Sequence, residues 1–133
     1  MKAGDVFCFI NFTFKDGDTA EKKLLIILNT PRGTEPYLAC LTTSQQKWKS
    51  NQLGCHSEKN YYFVDSKQDN FDKDTWIVFD IIYKFPVERI LNTRIKDGSY
   101  DLFELDSTLW KALKNCIAKS KDIEQDYLQM ILS

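Results

Sequence analysis

The sequence predicts a mainly β domain that ends in α-helices. In the first two-thirds of the chain, apolar segments alternate at period two or are apolar throughout, and turn residues such as those of Lys15–Asp18 separate them. After that the hydrophobic period becomes helical. With 133 residues, 43% of them hydrophobic, the chain can bury one core. We expect a single domain over residues 1–133, a small and mostly antiparallel barrel or half-barrel followed by helical segments at about 106–132.

Five strands are predicted, and each is an apolar run bounded by polar or turn residues. They are Asp5–Phe14, Lys22–Asn29, Tyr37–Ser44, Asn60–Ser66 and Thr75–Phe85. In the first of them the even-numbered positions are all apolar and should share one face of the sheet. Pro86 has no amide to donate and ends the last strand. Within residues 87–105 the pattern is weaker: RILNTRI suggests a short strand and YDLFEL another short element.

Two amphipathic helices are predicted at the end of the chain. One helical face of residues 106–120 is apolar and consists of Leu109, Leu113, Cys116 and Ile117. Asp106 or Ser107 is a suitable N-cap for this helix. The segment Ser120–Leu132 repeats the pattern, so Ser120 should separate two helical segments.

Composition limits the compartment and the kind of site. No apolar run is long enough to span a membrane and the N-terminal residues lack a signal-peptide layout, so we expect a cytoplasmic protein. Four cysteines fit that location; Cys8 and Cys40 lie in apolar runs, where a free thiol acts as a small hydrophobic group. Their spacing does not suit zinc, and no metal site is expected. The net charge of −1 argues mildly against a simple nucleic-acid binder.

A few polar residues stand out against this background. His56 is the single histidine, so a two-histidine ribonuclease site is excluded and a polar loop residue is the default interpretation. Asp80 interrupts the apolar run WIVFDII and should be hydrogen-bonded, ion-paired or functional, because burying a lone carboxylate is costly. Lys22 and Lys23 precede a buried run, either as a solvated strand entrance or as part of a site.

Four segments, in this order, resemble the MazF/PemK family of toxin–antitoxin ribonucleases. They are GDVFCFINF (Gly4–Phe12), KKLLIILN, ACLTTSQ and DTWIVFDIIYKF. The resemblance covers roughly residues 4–118, and the helix after Ser120 extends beyond the usual family length. It implies an SH3-like small barrel (MazF/PemK/CcdB-like) and a homodimer that cuts single-stranded RNA without metal or cofactor. The ribose 2′-oxygen attacks the adjacent phosphate, and a cognate antitoxin protein blocks the RNA groove.

The resemblance also implies three catalytic positions. An arginine before the second strand and a threonine or serine at the end of the third carry the chemistry in the family; Lys22 and Thr42 occupy these positions here. Asp80 stands where related toxins place an acidic residue, proposed in some as a base. Lysine keeps the charge of arginine but not its bidentate fork. Arg32, in the next loop, is a second candidate for the missing guanidinium.

The polar end of the third strand is the predicted RNA-binding segment. Thr43 and Ser44 suit phosphate oxygens and Gln45 suits base edges, while Lys47 and Lys49 suit the RNA backbone. Trp48 either stacks on a base or folds back as a hydrophobic lid. The predicted partners are single-stranded RNA, an antitoxin and a second copy of the chain. The alternative function is a catalytically inactive relative that acts as an immunity or regulatory protein-binding module.

Overall fold

A computed structural model describes all 133 residues. The strands are β1 (Asp5–Thr13), β2 (Thr19–Ile27), β3 (Tyr37–Thr43), β4 (Gly54–His56), β5 (Tyr61–Val64), β6 (Thr75–Phe85) and β7 (Tyr100–Glu104). The helices are α1 (Val87–Lys96), α2 (Ser107–Lys119) and α3 (Gln125–Leu132), with one 3-10 turn at Ser57–Lys59. All seven strands pair antiparallel in one sheet, in the order β4-β5-β6-β3-β2-β1-β7. None of the helices is both long and apolar enough to cross a membrane.

The predicted class, mainly β with helices towards the C-terminus, is confirmed. Strand β6 has the predicted bounds, and Asp106 is the N-cap of α2, where its carboxylate accepts a hydrogen bond of 3.1 Å from the Thr108 amide. Strand β2 begins at Thr19, earlier than predicted, so Lys22 and Lys23 lie inside a strand and not at its entrance. The short strand suggested for RILNTRI is wrong, because that segment lies in α1.

Each face of the sheet packs against different helices. On one face, side chains of β1, β2, β3 and β6 form a core with α2 and α3, in which Leu113 and Ile117 are completely buried. On the other face, Phe7 and Phe9 of β1 pack with Leu25 of β2 and with Ile90 of α1. Because both faces are covered there, the second half of β2, from Leu24 to Ile27, and β3 up to Leu41 are apolar at every position.

The simple alternation predicted for β1 fails at Asn11. This residue has a φ of 57°, a left-handed conformation that asparagine tolerates better than most residues. Beyond it Phe12 packs edge-to-face against Phe9 at 5.3 Å, and so joins the face opposite to Val6. The Asn11 side chain donates to Asp97 Oδ1 at 3.1 Å, beyond the C-terminus of α1.

The end of the β1–β2 hairpin folds over the sheet towards β6. The Phe9 and Phe85 rings are 5.3 Å apart, and so are those of Phe12 and Tyr83. The Lys15 amide donates to the Tyr83 hydroxyl at 3.0 Å. The hairpin therefore curls around the core on the α1 side of the sheet, while β4 and β7 remain its two edges.

The four cysteines divide into two pairs. Cys8 and Cys40 are free and buried, in line with their predicted role as small hydrophobic groups. Cys55 of β4 and Cys116 of α2 form a disulfide with a Cα–Cα distance of 5.5 Å. This bond was not predicted, because residues separated by 61 positions give no sequence signal of their pairing. Disulfides persist mainly in oxidising compartments, so this one weighs against the expected cytoplasmic location.

Candidate functional site

A cleft opens where β2 and β3 separate. Their ladder ends at the pair Leu25–Leu41, and at the next position the Leu24 carbonyl accepts a hydrogen bond of 2.8 Å from the Thr42 hydroxyl. Beyond this point the two strands, the loop before β6 and the edge strand β7 enclose about 470 Å³. Lys22, Thr42, Thr43 and Ser44, four of the predicted site residues, line this one cleft. The others do not.

The cleft is positively charged. Its ionisable residues are Lys22 and Lys23 of β2 and Asp72 and Lys73 of the loop, three cations against one anion. None of the four takes part in the three ion pairs of the structure. The lysine charges are therefore available to an anion such as a phosphate group.

Lys23 is the lysine whose charge is most affected by the protein. Its side chain is half-buried and its ammonium lies 5.7 Å from the centre of the Phe14 ring. Burial lowers the pKa of Lys23, and the nearby charge of Lys49 lowers that pKa further. A bound anion would offset both effects, because it favours the charged form of the amine.

The hydroxyl groups of the cleft differ in what they can donate. Thr42 is buried and its proton is engaged by the Leu24 carbonyl, so its oxygen can only accept further bonds. The Thr43 oxygen accepts a bond of 3.2 Å from the Gln45 amide, which leaves its proton free to donate. Ser44 is exposed. The hydroxyl protons that remain free are therefore those of Thr43 and Ser44, whereas that of Thr42, the donor that the resemblance implied, is engaged.

Asp80 does not lie in the cleft. Between the pairs Ala39–Tyr83 and Leu41–Val78 the strand β6 bulges, so that four of its residues lie opposite one residue of β3. Asp80 belongs to this bulge, is exposed, and lines separate cavities beside Lys15. The burial that its sequence context suggested is therefore avoided, and its carboxylate is not among the groups that line the cleft with Lys22 and Thr42.

Arg32 lies beyond the opposite end of β2. It lines cavities beside Met130 and Ser133 of the C-terminal segment, and its backbone amide donates to Glu35 at 3.0 Å. Arg32 is absent from the cleft around Lys22. Arg32 therefore does not supply a guanidinium group beside Lys22.

The loop after β3 places its cations and its tryptophan differently from the expectation. Trp48 is 71% exposed, so it is not a buried lid. Lys49 is only 7% exposed and its ammonium lies 5.3 Å from the Trp48 ring centre and 5.9 Å from that of Trp76. Gln45 and Lys47 are exposed. Lys49 is therefore a packed side chain and not a free contact for a nucleic-acid backbone.

His56 has a structural environment. Its ring stacks on that of Tyr61 at 4.7 Å, and its Nε2 lies 2.7 Å from the Gln52 carbonyl oxygen. Both neighbours belong to the framework that supports the loop after β3. The default interpretation of His56 as a polar residue without a catalytic partner is consistent with this position.

Several residues of the cleft were not predicted from the sequence. Asn70, Asp72 and Lys73 come from a segment that reads only as a polar loop, and Leu102 and Phe103 come from β7. They reach the site because β7 pairs with β1, and because Phe71 packs on Phe103 at 5.0 Å. Such distant pairings leave no local pattern in the sequence.

The cleft can hold an anionic group between cations and hydroxyl donors. No protein-family model matches the chain, and no curated protein matches its sequence. No group of three His, Cys, Asp or Glu side chains is arranged to hold a metal ion. The groups of the cleft that can act on an anion are its lysines and its hydroxyls.

Proposed function

We propose that this chain is an endoribonuclease of the MazF/PemK type that cleaves single-stranded RNA in the cleft between β2 and β3. The observation that carries the proposal is that Lys22 and Thr42, from two separate segments of the sequence, line the same positively charged cleft. Thr43 and Ser44 add hydroxyl donors beside them. A phosphodiester needs both a positive charge and donors when charge builds up on its oxygens.

In the proposed reaction the ribose 2′-oxygen forms a bond to phosphorus and the bond from phosphorus to the 5′-oxygen breaks. The 2′-hydroxyl loses a proton and the 5′-oxygen gains one, so the products are a cyclic phosphate and a free 5′-hydroxyl. Lys22 neutralises the charge on the non-bridging oxygens, while Thr43 and Ser44 donate to them. Lys23 lines the same cleft, and a phosphate beside it favours its charged form, so Lys23 adds a second positive charge next to Lys22.

The fold and the partners of the proposal follow the same resemblance. The curl of the β1–β2 hairpin over β6, with Phe12 and Tyr83 in contact, supports a partly closed SH3-like barrel. The protein would act as a homodimer, and an antitoxin protein would block its RNA cleft. The proposal includes no metal and no cofactor.

One observation favours a second candidate, a catalytically inactive relative that binds protein as an immunity or regulatory module. Val87, Leu91 and Ile95 are 45%, 55% and 73% exposed and follow one another at a spacing of four residues on α1. This spacing forms an apolar stripe, which suits a protein partner. Lysine in place of the family's arginine is compatible with lost activity.

Cleavage of an unstructured RNA in EDTA tests the proposal. The wild-type chain should yield products with cyclic phosphate and 5′-hydroxyl ends, and Lys22→Ala should slow cleavage roughly 10- to 1000-fold. Lys121→Ala is the matched control, because this exposed lysine of the α2–α3 connection does not line the cleft.

Three outcomes are informative. Cleavage that requires added magnesium or zinc contradicts the proposed mechanism. Equal rates for Lys22→Ala and Lys121→Ala contradict the proposed site. An inert wild type that gains activity on Lys22→Arg contradicts an active nuclease and supports the second candidate, a relative that has lost its catalytic activity.

A further inference from the structure

An exposed indole lies on the loop that follows β3. Trp48 is 71% exposed, and the part of it that is covered rests on two neighbours. Its ring meets Tyr61 edge-to-face with 6.0 Å between centroids, and Lys49 lies 5.3 Å from its centre. The indole therefore contacts Tyr61 and Lys49, while most of its surface is open to solvent.

The buried Lys49 side chain lies between two tryptophan rings. Its ammonium lies close to both Trp48 and Trp76, within the distance at which cations are attracted to aromatic rings. The loop itself is fixed by two hydrogen bonds of 2.8 Å, from the Trp76 indole nitrogen to the Ser50 carbonyl and from the Ser50 amide to the Tyr61 hydroxyl. These bonds hold Ser50, two residues after Trp48, against residues of β5 and β6.

The loop that carries the indole continues directly from the wall of the cleft, since Ser44 lines the cleft and Trp48 follows it by four residues. Thr43, which lines the cleft, is paired with Trp76 in the ladder between β3 and β6. Burial lowers the pKa of Lys23, in the cleft, and the charge of Lys49, beside the indole, lowers it further. Thr43 of the cleft is thus connected through Trp76 to Ser50, in the loop that carries Trp48.

The electrostatics of the cleft and of this loop suit an anionic chain. Burial lowers the pKa of Lys49, and the charge of Lys47, two positions earlier in the same loop, lowers it further. Asp80 is the nearby acid, and it acts on Lys49 in the opposite direction. The cleft and the loop together hold five lysines, Lys22, Lys23, Lys47, Lys49 and Lys73, against two carboxylates, that of Asp72 in the cleft and that of Asp80 nearby.

We infer that Trp48 is a stacking subsite for an unpaired base of a single-stranded nucleic acid whose phosphate lies in the cleft. An indole face accepts any base without sequence readout, and stacking of this kind is tolerant of sequence. Bases inside a duplex have both faces covered by their neighbours, so they cannot use the subsite. The inference rests on the proposed function in one respect: the strand that reaches Trp48 is the one that enters the cleft.

The test measures binding of a short, unstructured oligonucleotide with 2′-O-methyl riboses, which cannot undergo attack by the 2′-oxygen. Trp48→Ala should weaken its binding about 5- to 150-fold, and Trp48→Phe should restore most of the loss. Leu53→Ala is the matched control, because Leu53 is a 52% exposed apolar side chain of the same loop. With the same oligonucleotide annealed to its complement, Trp48→Ala should have no effect.

Cleavage of the corresponding RNA is measured alongside binding, so that the two proposals are separated. Binding that depends on Trp48 without any cleavage supports the subsite and overturns the nuclease. Cleavage with equal oligonucleotide binding by wild type, Trp48→Ala and Leu53→Ala supports the nuclease and overturns the subsite. Failure of the wild type to bind the oligonucleotide also overturns the subsite.

Discussion

Thr42 and Thr43 are neighbours on β3 whose hydroxyl groups have different tasks. The Thr42 proton is donated to the Leu24 carbonyl at the point where β2 and β3 separate, whereas the Thr43 proton remains free. The first hydroxyl therefore completes the sheet, and the second keeps a proton that it can donate into the cleft. The resemblance assigned the donor role to Thr42 because a sequence pattern does not show where a hydroxyl proton points.

We predict opposite phenotypes for the two threonines. Thr42→Val should lower the free energy of unfolding by roughly 1–3 kcal/mol, because it leaves the Leu24 carbonyl without its partner. Thr43→Val should change stability by no more than about 0.5 kcal/mol and should slow RNA cleavage. Urea denaturation and cleavage rates measured on both variants check this assignment. A Thr42→Val variant that is as stable as the wild type but inactive would show that Thr42, and not Thr43, is the donor.

A second prediction at this scale concerns pH. The pKa of Lys23 is lower in the folded chain than its ordinary value of 10.5, so the unfolded chain binds this proton more tightly. The charged Lys23 therefore costs stability below its folded pKa, and the cost disappears as the pH rises towards 10.5. Lys23→Met should raise the free energy of unfolding at neutral pH, and its advantage over the wild type should shrink in alkaline buffer.

Urea denaturation across this pH range, with the exposed Lys121→Met as control, measures the effect. An advantage of Lys23→Met that is constant with pH would show that hydrophobic packing, and not the charge, is its cause.

Residue positions were predictable where they followed from strand order. Lys22 and Thr42 belong to consecutive strands, which usually pair, and β2 and β3 do pair. Asp80 was misjudged because the bulge in β6 removes it from the apolar row, and a bulge is set by pairing with β3. Arg32 could not be assigned because the direction of a loop is not encoded in a local pattern.

At the scale of elements, long periodic segments were predictable and short or pairing-dependent ones were not. The segment of α1 contains Ile and Thr, which favour strands, but Pro86 precedes it, Glu88 lies in its first turn, and Arg94 and Lys96 lie in its last. An acidic first turn and a basic last turn suit the helix dipole, so these charges could have predicted a helix here. Strand β4 has three residues and exists through its pairing with β5, which a sequence pattern does not reveal.

The caps of α2 and α3 provide a matched pair for a prediction. Asp106 accepts a hydrogen bond from the first turn of α2, whereas Glu124, the N-cap of α3, makes no such bond. Asp106→Ala should therefore lower the free energy of unfolding by about 1 kcal/mol, while Glu124→Ala should have little effect. Equal losses in urea denaturation would mean that the Asp106 carboxylate contributes through charge and not through its bond to the amide.

For the molecule as a whole, the disulfide is the largest constraint on the unfolded chain. Cys55 and Cys116 close a loop with a sequence separation of 61, for which the chain-entropy estimate is roughly 4 kcal/mol of stabilisation. A dithiol reductant should lower the urea midpoint of the wild type strongly and leave that of Cys55→Ser unchanged. A thiol count in denaturant should find two free thiols, Cys8 and Cys40; four would contradict the bond.

The exposed stripe of α1 underlies a prediction of dimerisation. Three apolar side chains, Val87, Leu91 and Ile95, are exposed on one helix of a small domain, more than isolated surface positions require. The wild type should be a symmetric dimer by light scattering, and Ile95→Glu should shift it towards the monomer. Lys96→Glu, an exposed charge change in the next position, is the control. A wild type that is strictly monomeric would contradict the prediction.

The disulfide also makes part of the backbone a closed covalent ring. The ring runs from Cys55 through β5, β6, α1, β7 and α2 to Cys116, and it contains the exposed loop Ser66–Asp74 that forms one wall of the cleft. Lys22 and Thr43, on the opposite wall, lie outside it. A protease that nicks the exposed loop therefore opens the ring without producing separate fragments. Under non-reducing electrophoresis the nicked chain keeps its full mass, and two pieces appear only after reduction.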